Sequence, residues 1–217
     1  MKKTNHDART KILTDIRSAL RTARIPNTDV HPCSAEASFF KNAADLPEKF
    51  VQELEQLNVT VFRESSIGSL QERVRSLTAN KSVLCWNFEN LPYNLQNVFE
   101  NRPVLFGKDT LEQQAMAEVG VTGVDAAIAE TGSIILFSWK GKPRTASLLP
   151  FEHVAICKPE NIFYKLSDFF KHNKKRLPEF SNVSIISGPS RTADIEMQLT
   201  LGVHGPGKMT VVIGPPS

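Results

Sequence analysis

Cysteine is scarce in this chain, and what there is stands scattered: Cys33, Cys85 and Cys157 lie far apart and form no CxxC pair. A disulfide framework, a zinc ribbon and a self-contained iron–sulfur cluster all need clustered thiolates, so each is excluded. No metal site and no cofactor are expected in this chain. Long apolar runs are missing too. The densest, Ser133–Trp139, has the length of a strand and falls well short of the roughly 18 residues of a membrane span. Nor does either charge dominate: 26 Lys and Arg against 23 Asp and Glu leave +3, too little to argue for nucleic acid. There are no internal repeats and no low-complexity tracts. The 217 residues, 41% hydrophobic and 23% charged, fit an ordinary globular protein, expected to be soluble and cytoplasmic. A chain of this length buries roughly 70% of its unfolded surface and needs no staples to fold.

The small net charge is unevenly spread. Residues 1–24 carry seven Lys and Arg against Asp7 and Asp15, an excess of +5, so the remaining chain sums to −2. Ile12, Leu13, Ile16, Ala19, Leu20 and Ala23 share one side of a helical wheel, while Arg17, Arg21 and Arg24 cluster on the other. A packed amphipathic helix with a solvated basic face, ended by Pro26, is the favoured reading. A membrane-surface helix or a docking arm for an acidic partner is the alternative. Two acids and no clear cleavage site argue against a transit peptide. Residues 1–34 thus read as helix and linker, and 35–217 as the main domain.

Along that domain, short β-branched strands at Val59–Phe62, Ser82–Trp86 and Pro103–Phe106 alternate with helical patterns at 45–57, 67–77 and 111–118. Asp45 is placed to cap the first of these helices. The alternation predicts an α/β fold with a mostly parallel sheet flanked by helices. Val121–Trp139 differs, being two apolar runs broken at 123–125 and at Glu130-Thr-Gly132, so an antiparallel portion is expected. Strands at 153–157, 183–187 and 209–213 follow, with helices near 161–172 and 192–199.

Four constellations could carry chemistry. Gly188-Pro-Ser190-Arg191-Thr192-Ala-Asp194-Ile-Glu196 follows a strand and is predicted to open a helix, whose free amides would attract an anion. The acids Asp194 and Glu196 would repel that anion, and simple capping explains the segment equally well. His204, between glycines and followed by Gly205, could act as acid or base, or merely terminate the helix. Glu130 between apolar runs could be desolvated into a base or nucleophile, or be the solvated tip of a hairpin. Arg144, in the basic loop 140–144, could fork onto a carboxylate or phosphate, or serve solubility.

Together the segments VGVTGVDAAIAETGSIIL (119–136), RTASLLP (144–150), SGPSRTADIE (187–196) and LGVHGP (201–206) resemble the lactate-utilisation protein C family, the stand-alone LUD-domain proteins. The likeness is close over residues 116–214. It implies the superfamily fold shared by glucosamine-6-phosphate deaminase, ribose-5-phosphate isomerase and CoA-transferases, which agrees with the mostly parallel sheet and antiparallel portion read above. It also implies a part in oxidising L-lactate to pyruvate, beside two iron–sulfur partner subunits. One of these would be cysteine-rich, and the other would join a LUD domain to ferredoxin-like clusters. Lacking cluster ligands, this chain resembles the third component. Arg144, Arg191 and His204 would then face a small carboxylate, with Gly188, Ser190, Thr192, Asp194 and Gly205 shaping an anion corner, or the chain would dock its partners. CoA-transferases of the superfamily use a glutamate in a Glu-Asn-Gly turn, to which Glu130-Thr-Gly132 is similar in form. That likeness suggests the alternative of a free-standing enzyme acting on an acyl-CoA or a phosphorylated small molecule.

Overall fold

A computed structural model describes residues 4–22, 45–193, 199–201 and 204–216. The chain divides into two units, Met1–Ala37 and Ser38–Ser217. In the first, α1 runs Thr4–Thr22. Within this unit Ile12, Leu13, Ile16 and Leu20 are exposed.

The second unit is built on a six-stranded sheet ordered β3-β2-β4-β7-β12-β1, with every pairing parallel. Its strands are β1 (Thr60–Arg63), β2 (Val83–Cys85), β3 (Val104–Leu105), β4 (Val119–Gly123), β7 (Glu152–Cys157) and β12 (Lys208–Ile213). The central strands are buried along nearly their whole length, as parallel strands covered on both faces must be. Helices α2 (Leu46–Gln56) and α3 (Ile67–Leu77) add Phe50, Leu54, Leu70 and Val74 to one core with Leu84, Val121, Ile156 and Val211. The Ile67, Leu70, Val74, Leu77 spacing dictates α3, and the Ser66 hydroxyl caps it by accepting from Ser69 N–H. At α2, Asp45 holds the N-terminal flank but makes no side-chain cap, with Pro47 in the first turn.

The expected antiparallel portion lies in a second, four-stranded mixed sheet, β8-β5-β6-β9, in which β5–β6 and β6–β9 pair antiparallel and β5–β8 parallel. Here β5 (Ala126–Ile128) and β6 (Ser133–Ser138) form the hairpin, while β8 is Ile162–Phe163 and β9 Asn182–Ile186. Helix α6 (Leu166–Asn173) covers it through a small core of Phe137, Phe169, Phe163 and Phe180, with Phe137 and Phe180 stacked 4.1 Å apart. The helix expected near 161–172 starts later because Ile162 and Phe163 pair with β5. Likewise α4 (Leu111–Ala115) stops short of Glu118, whose N–H, like that of Val119, is drawn to Ser82 O as β4 begins. A one-turn helix, α5 (Thr145–Leu148), leads into β7.

One expectation fails outright. Both ends of the helix predicted over 192–199 are strand instead: β10 (Arg191–Ala193) pairs antiparallel with β11 (Leu199–Leu201), and 194–198 lie outside the described residues. Ser190 N–H, which a helix N-terminus would leave open, is spent on Pro206 O at 2.8 Å, and the cross-strand ladder takes the backbone from there.

Candidate functional site

Strand order locates the cleft. From β2 the chain moves outward to the edge strand β3, then returns to β4 on the other side, from which the sheet grows through β7 and β12. Loops leaving β2 and β4 therefore diverge, and a crevice opens at their carboxyl ends, the usual ligand position in open α/β sheets. A cleft of about 310 Å³ lies there, lined by Trp86 and Asn90 after β2, Gly123 and Asp125 at the end of β4, Lys142, and Lys158 and Asn161 after β7.

Its polar centre is an ion pair. The Lys142 ammonium donates to Asp125 Oδ1, and Phe137 N–H donates to Oδ2 at 2.8 Å. Both side chains are largely buried, at 12% and 15% exposure, and the ammonium sits 4.6 Å from the Trp86 ring centroid. Lys142 is held by a tight turn. Its N–H donates to Trp139 O at 3.0 Å, and Asn87 N–H donates to Gly141 O at 2.9 Å. Gly141 adopts φ +90°, and a Cβ there would stand 2.9 Å from Asn90 Nδ2. Gly141→Ala is accordingly expected to cost about 1–2 kcal/mol in denaturant unfolding and to loosen Lys142. Across the cleft, Asn161 Nδ2 donates to Val124 O at 2.9 Å, and Lys158 Nζ lies 3.8 Å from Glu160 and 5.6 Å from the Tyr93 ring. The Tyr93 backbone is itself in the left-handed region (φ +62°), as is that of Asn94 (φ +50°), so the wall beside Lys158 carries strain. Cys85 and Cys157 end β2 and β7 just before the cleft loops. Burial pushes both thiols up, Cys157 to about 12, so neither supplies a thiolate.

The residues singled out from sequence lie elsewhere. Arg191 donates to Leu57 O at 2.7 Å, Gly188 (φ +84°) packs on Leu57, and a Cβ on Gly205 would lie 3.5 Å from that of Ser190. His204 is exposed. Leu57 precedes β1 and Gly207 precedes β12, and those strands are parallel, so this group gathers at the amino end of the sheet, opposite the cleft. Gly188 follows β9 of the second sheet, so the expected carboxyl-end crevice of the main sheet is not where it lies. Thr192 pairs with Thr200 in the β10–β11 ladder. Asp194 and Glu196 fall outside the described residues. Glu130 is exposed at the hairpin tip, its N–H donating to Tyr164 O at 3.0 Å, the arrangement of the solvated-tip alternative. Arg144 is exposed before α5 and makes no ion pair among the described residues.

Sequence reasoning thus found the basic loop 140–144 but chose Arg144 over Lys142, and it read 123–125 as an interruption without seeing Asp125 as a site residue. No local signal pairs Lys142 with Asp125, because strand order brings them together.

A parallel α/β sheet with a cleft at its chain reversal is the class this architecture defines. A crystal structure of a DUF162 family protein from Deinococcus radiodurans shares the fold, with a TM-score of 0.65 at 20% identity over 80% of this chain and 98% of that one. The LUD domain family model matches residues 30–213, and the chain belongs to the LUD domain family. Among its relatives, a protein named Lactate utilization protein C from Shouchella clausii is 33% identical over 168 residues, 71% of this chain and 72% of that protein. One of the same name from Halalkalibacterium halodurans is 38% identical over 169 residues, 71% and 73% respectively.

Proposed function

We propose that this chain serves lactate utilisation as the component without clusters in an iron–sulfur system that oxidises L-lactate to pyruvate. The small carboxylate binds in the cleft at the ends of β2, β4 and β7. The observation that carries this reading is the placing of two lysines, Lys142 and Lys158, at the crevice of a fold whose relatives are named for lactate utilisation. Lys142 is neutralised by Asp125 and orients the wall; Lys158, whose ammonium lies 3.8 Å from Glu160, takes the carboxylate charge by exchanging that long ion pair for the ligand, and the amides of Asn90 and Asn161 direct it. With Asp125 and Glu89 also in the cleft, its formal charges cancel, which suits a monoanion better than a phosphate. The two electrons of the oxidation pass to clusters on the two partner subunits. Arg144, Arg191 and His204, exposed and away from the cleft lining, are assigned to docking those subunits.

The test is anaerobic affinity purification of the tagged chain from cells grown on L-lactate. The eluate is expected to be coloured by iron–sulfur absorbance and to reduce a dye when lactate is added. Lys158→Met should lower that rate by about tenfold or more with the partners retained. Arg191→Glu with His204→Ala should lose the partners. A colourless chain arriving alone would overturn the reading and favour the free-standing enzyme, to be screened with acyl-CoA esters and sugar phosphates.

A further inference from the structure

Helix α1 belongs to neither the cleft nor the family match, which begins at residue 30, eight residues beyond the helix end at Thr22. Every residue from 8 to 21 is exposed, including the large apolar side chains Ile12 (58%), Leu13 (40%), Ile16 (49%) and Leu20 (65%). At about 100° per residue these four fall within one arc of about 100°, a stripe that water penalises until something covers it. Arg17 and Arg21 border the arc on one side. Arg9 falls within it one turn earlier, and its stem is long enough to snorkel out. The one acid between residues 8 and 21 is Asp15.

The cover must therefore be apolar at its centre and negative at its margin. A second copy of α1 meets the first requirement and fails the second, since two stripes face to face bring like-charged arginine flanks together. The rest of the chain sums to only −2 and offers no strong acidic counterpart. A bilayer rich in anionic headgroups meets both, with phosphates for Arg9, Arg17 and Arg21 and the headgroup–acyl boundary for the aliphatic stripe. We propose that α1 is a membrane-surface arm that lays its Ile12–Leu20 stripe in the interface of an anionic bilayer without crossing it. No helix among the described residues is long and apolar enough to cross a membrane.

The test is co-sedimentation of the full chain with large unilamellar vesicles of phosphatidylcholine alone, or with about 30% phosphatidylglycerol added. Partitioning to the anionic vesicles is expected to exceed that to neutral ones by about tenfold or more. It should weaken as ionic strength rises from about 0.1 M to about 1 M, where the Debye length shrinks from about 10 to about 3 Å. Ile12→Asp with Ile16→Asp, and Arg17→Glu with Arg21→Glu, should each abolish it while thermal unfolding of the 38–217 unit stays unchanged. No preference for anionic vesicles would overturn the proposal. So would a dimer in solution that Ile16→Asp splits, which gives the stripe to a second copy. Loss of an iron–sulfur partner from the Ile12→Asp, Ile16→Asp chain without any vesicle binding would likewise overturn it, in favour of a protein partner.

Discussion

Lys142→Met is expected to destabilise the protein by about 3 kcal/mol in denaturant unfolding, a large share of a domain's net stability. The cause is the charge left behind more than the bond lost. Asp125 is 15% exposed, and one of its oxygens is committed to Phe137 N–H, so it cannot turn to water when its cation goes. Asp125→Asn on its own should cost less, about 1–2 kcal/mol. The amide oxygen can still accept from Phe137 N–H, and the Lys142 ammonium keeps the Trp86 ring 4.6 Å away. Combining the two substitutions should cost clearly less than their sum, because the uncompensated carboxylate is gone. Strict additivity in that cycle would show that water already screens the pair. Its role as the fixed wall of the carboxylate cleft would then fail with it.

Acidification should unfold the protein through one histidine before it does so through the carboxylates. His153 lies in the middle of the parallel sheet on β7, 1% exposed, with Nε2 2.9 Å from Thr122 Oγ1. Its Nδ1 is buried and has no partner among the described residues. A lone pair left unpaired costs less than a buried N–H left unpaired, so the neutral tautomer protonated at Nε2 and donating to Thr122 is the one this pocket holds. Adding the second proton places a charge where nothing answers it, and burial pushes the imidazole down from 6.5 to about 4. The folded value is the depressed one, so between those limits the unfolded chain binds more protons than the folded one. The stability is therefore complete above about pH 6.5, falls as pH drops, and is lost in full below about pH 4. The whole loss amounts to about 3 kcal/mol, and about 2 kcal/mol of it is gone by pH 5.

Carboxylates act lower. Partial burial pushes Glu152 up, but hydrogen bonds from Lys81 and Lys208 outweigh it and hold the carboxyl below its usual range. The Arg73 guanidinium does the same for Glu64. Their contributions are present above about pH 4.5 and lost only beneath it. Denaturant unfolding at pH 7.5, 6 and 5 separates the two effects. His153→Gln, which can still donate to Thr122, should be nearly flat over that interval while the parent protein loses its 2 kcal/mol. Equal slopes for the two proteins would remove His153 as the cause.

Much of the architecture is written locally. Apolar spacing sets α3 at Ile67–Leu77, the Ser66 hydroxyl starts it, and the segments at 119–123, 152–157 and 208–213, with little polar alternation, are strands buried on both faces for nearly their whole length. The break at Glu130-Thr-Gly132 forecasts the β5–β6 hairpin, and the four segments that resemble the lactate-utilisation protein C family lead to the LUD domain membership. Short-range reasoning misled where long-range partners compete for the same backbone. The pattern at 192–199 reads as helical, yet Pro206 O takes the Ser190 N–H, and the strands β10 and β11 at its two ends take each other.

The site itself belongs to the tertiary structure. Lys142 and Asp125 are 17 residues apart, and Trp86 and Lys158 lie farther still along the chain. What gathers them is the reversal of strand order between β2 and β4, while the parallel direction of β1 and β12 leaves Gly188, Arg191 and Gly205 at the opposite end of the sheet. A residue's type and spacing record which element it joins and which face it prefers. Which strand lies beside which is decided by the packing of the whole sheet, and in this protein that packing determines which cations share a cleft.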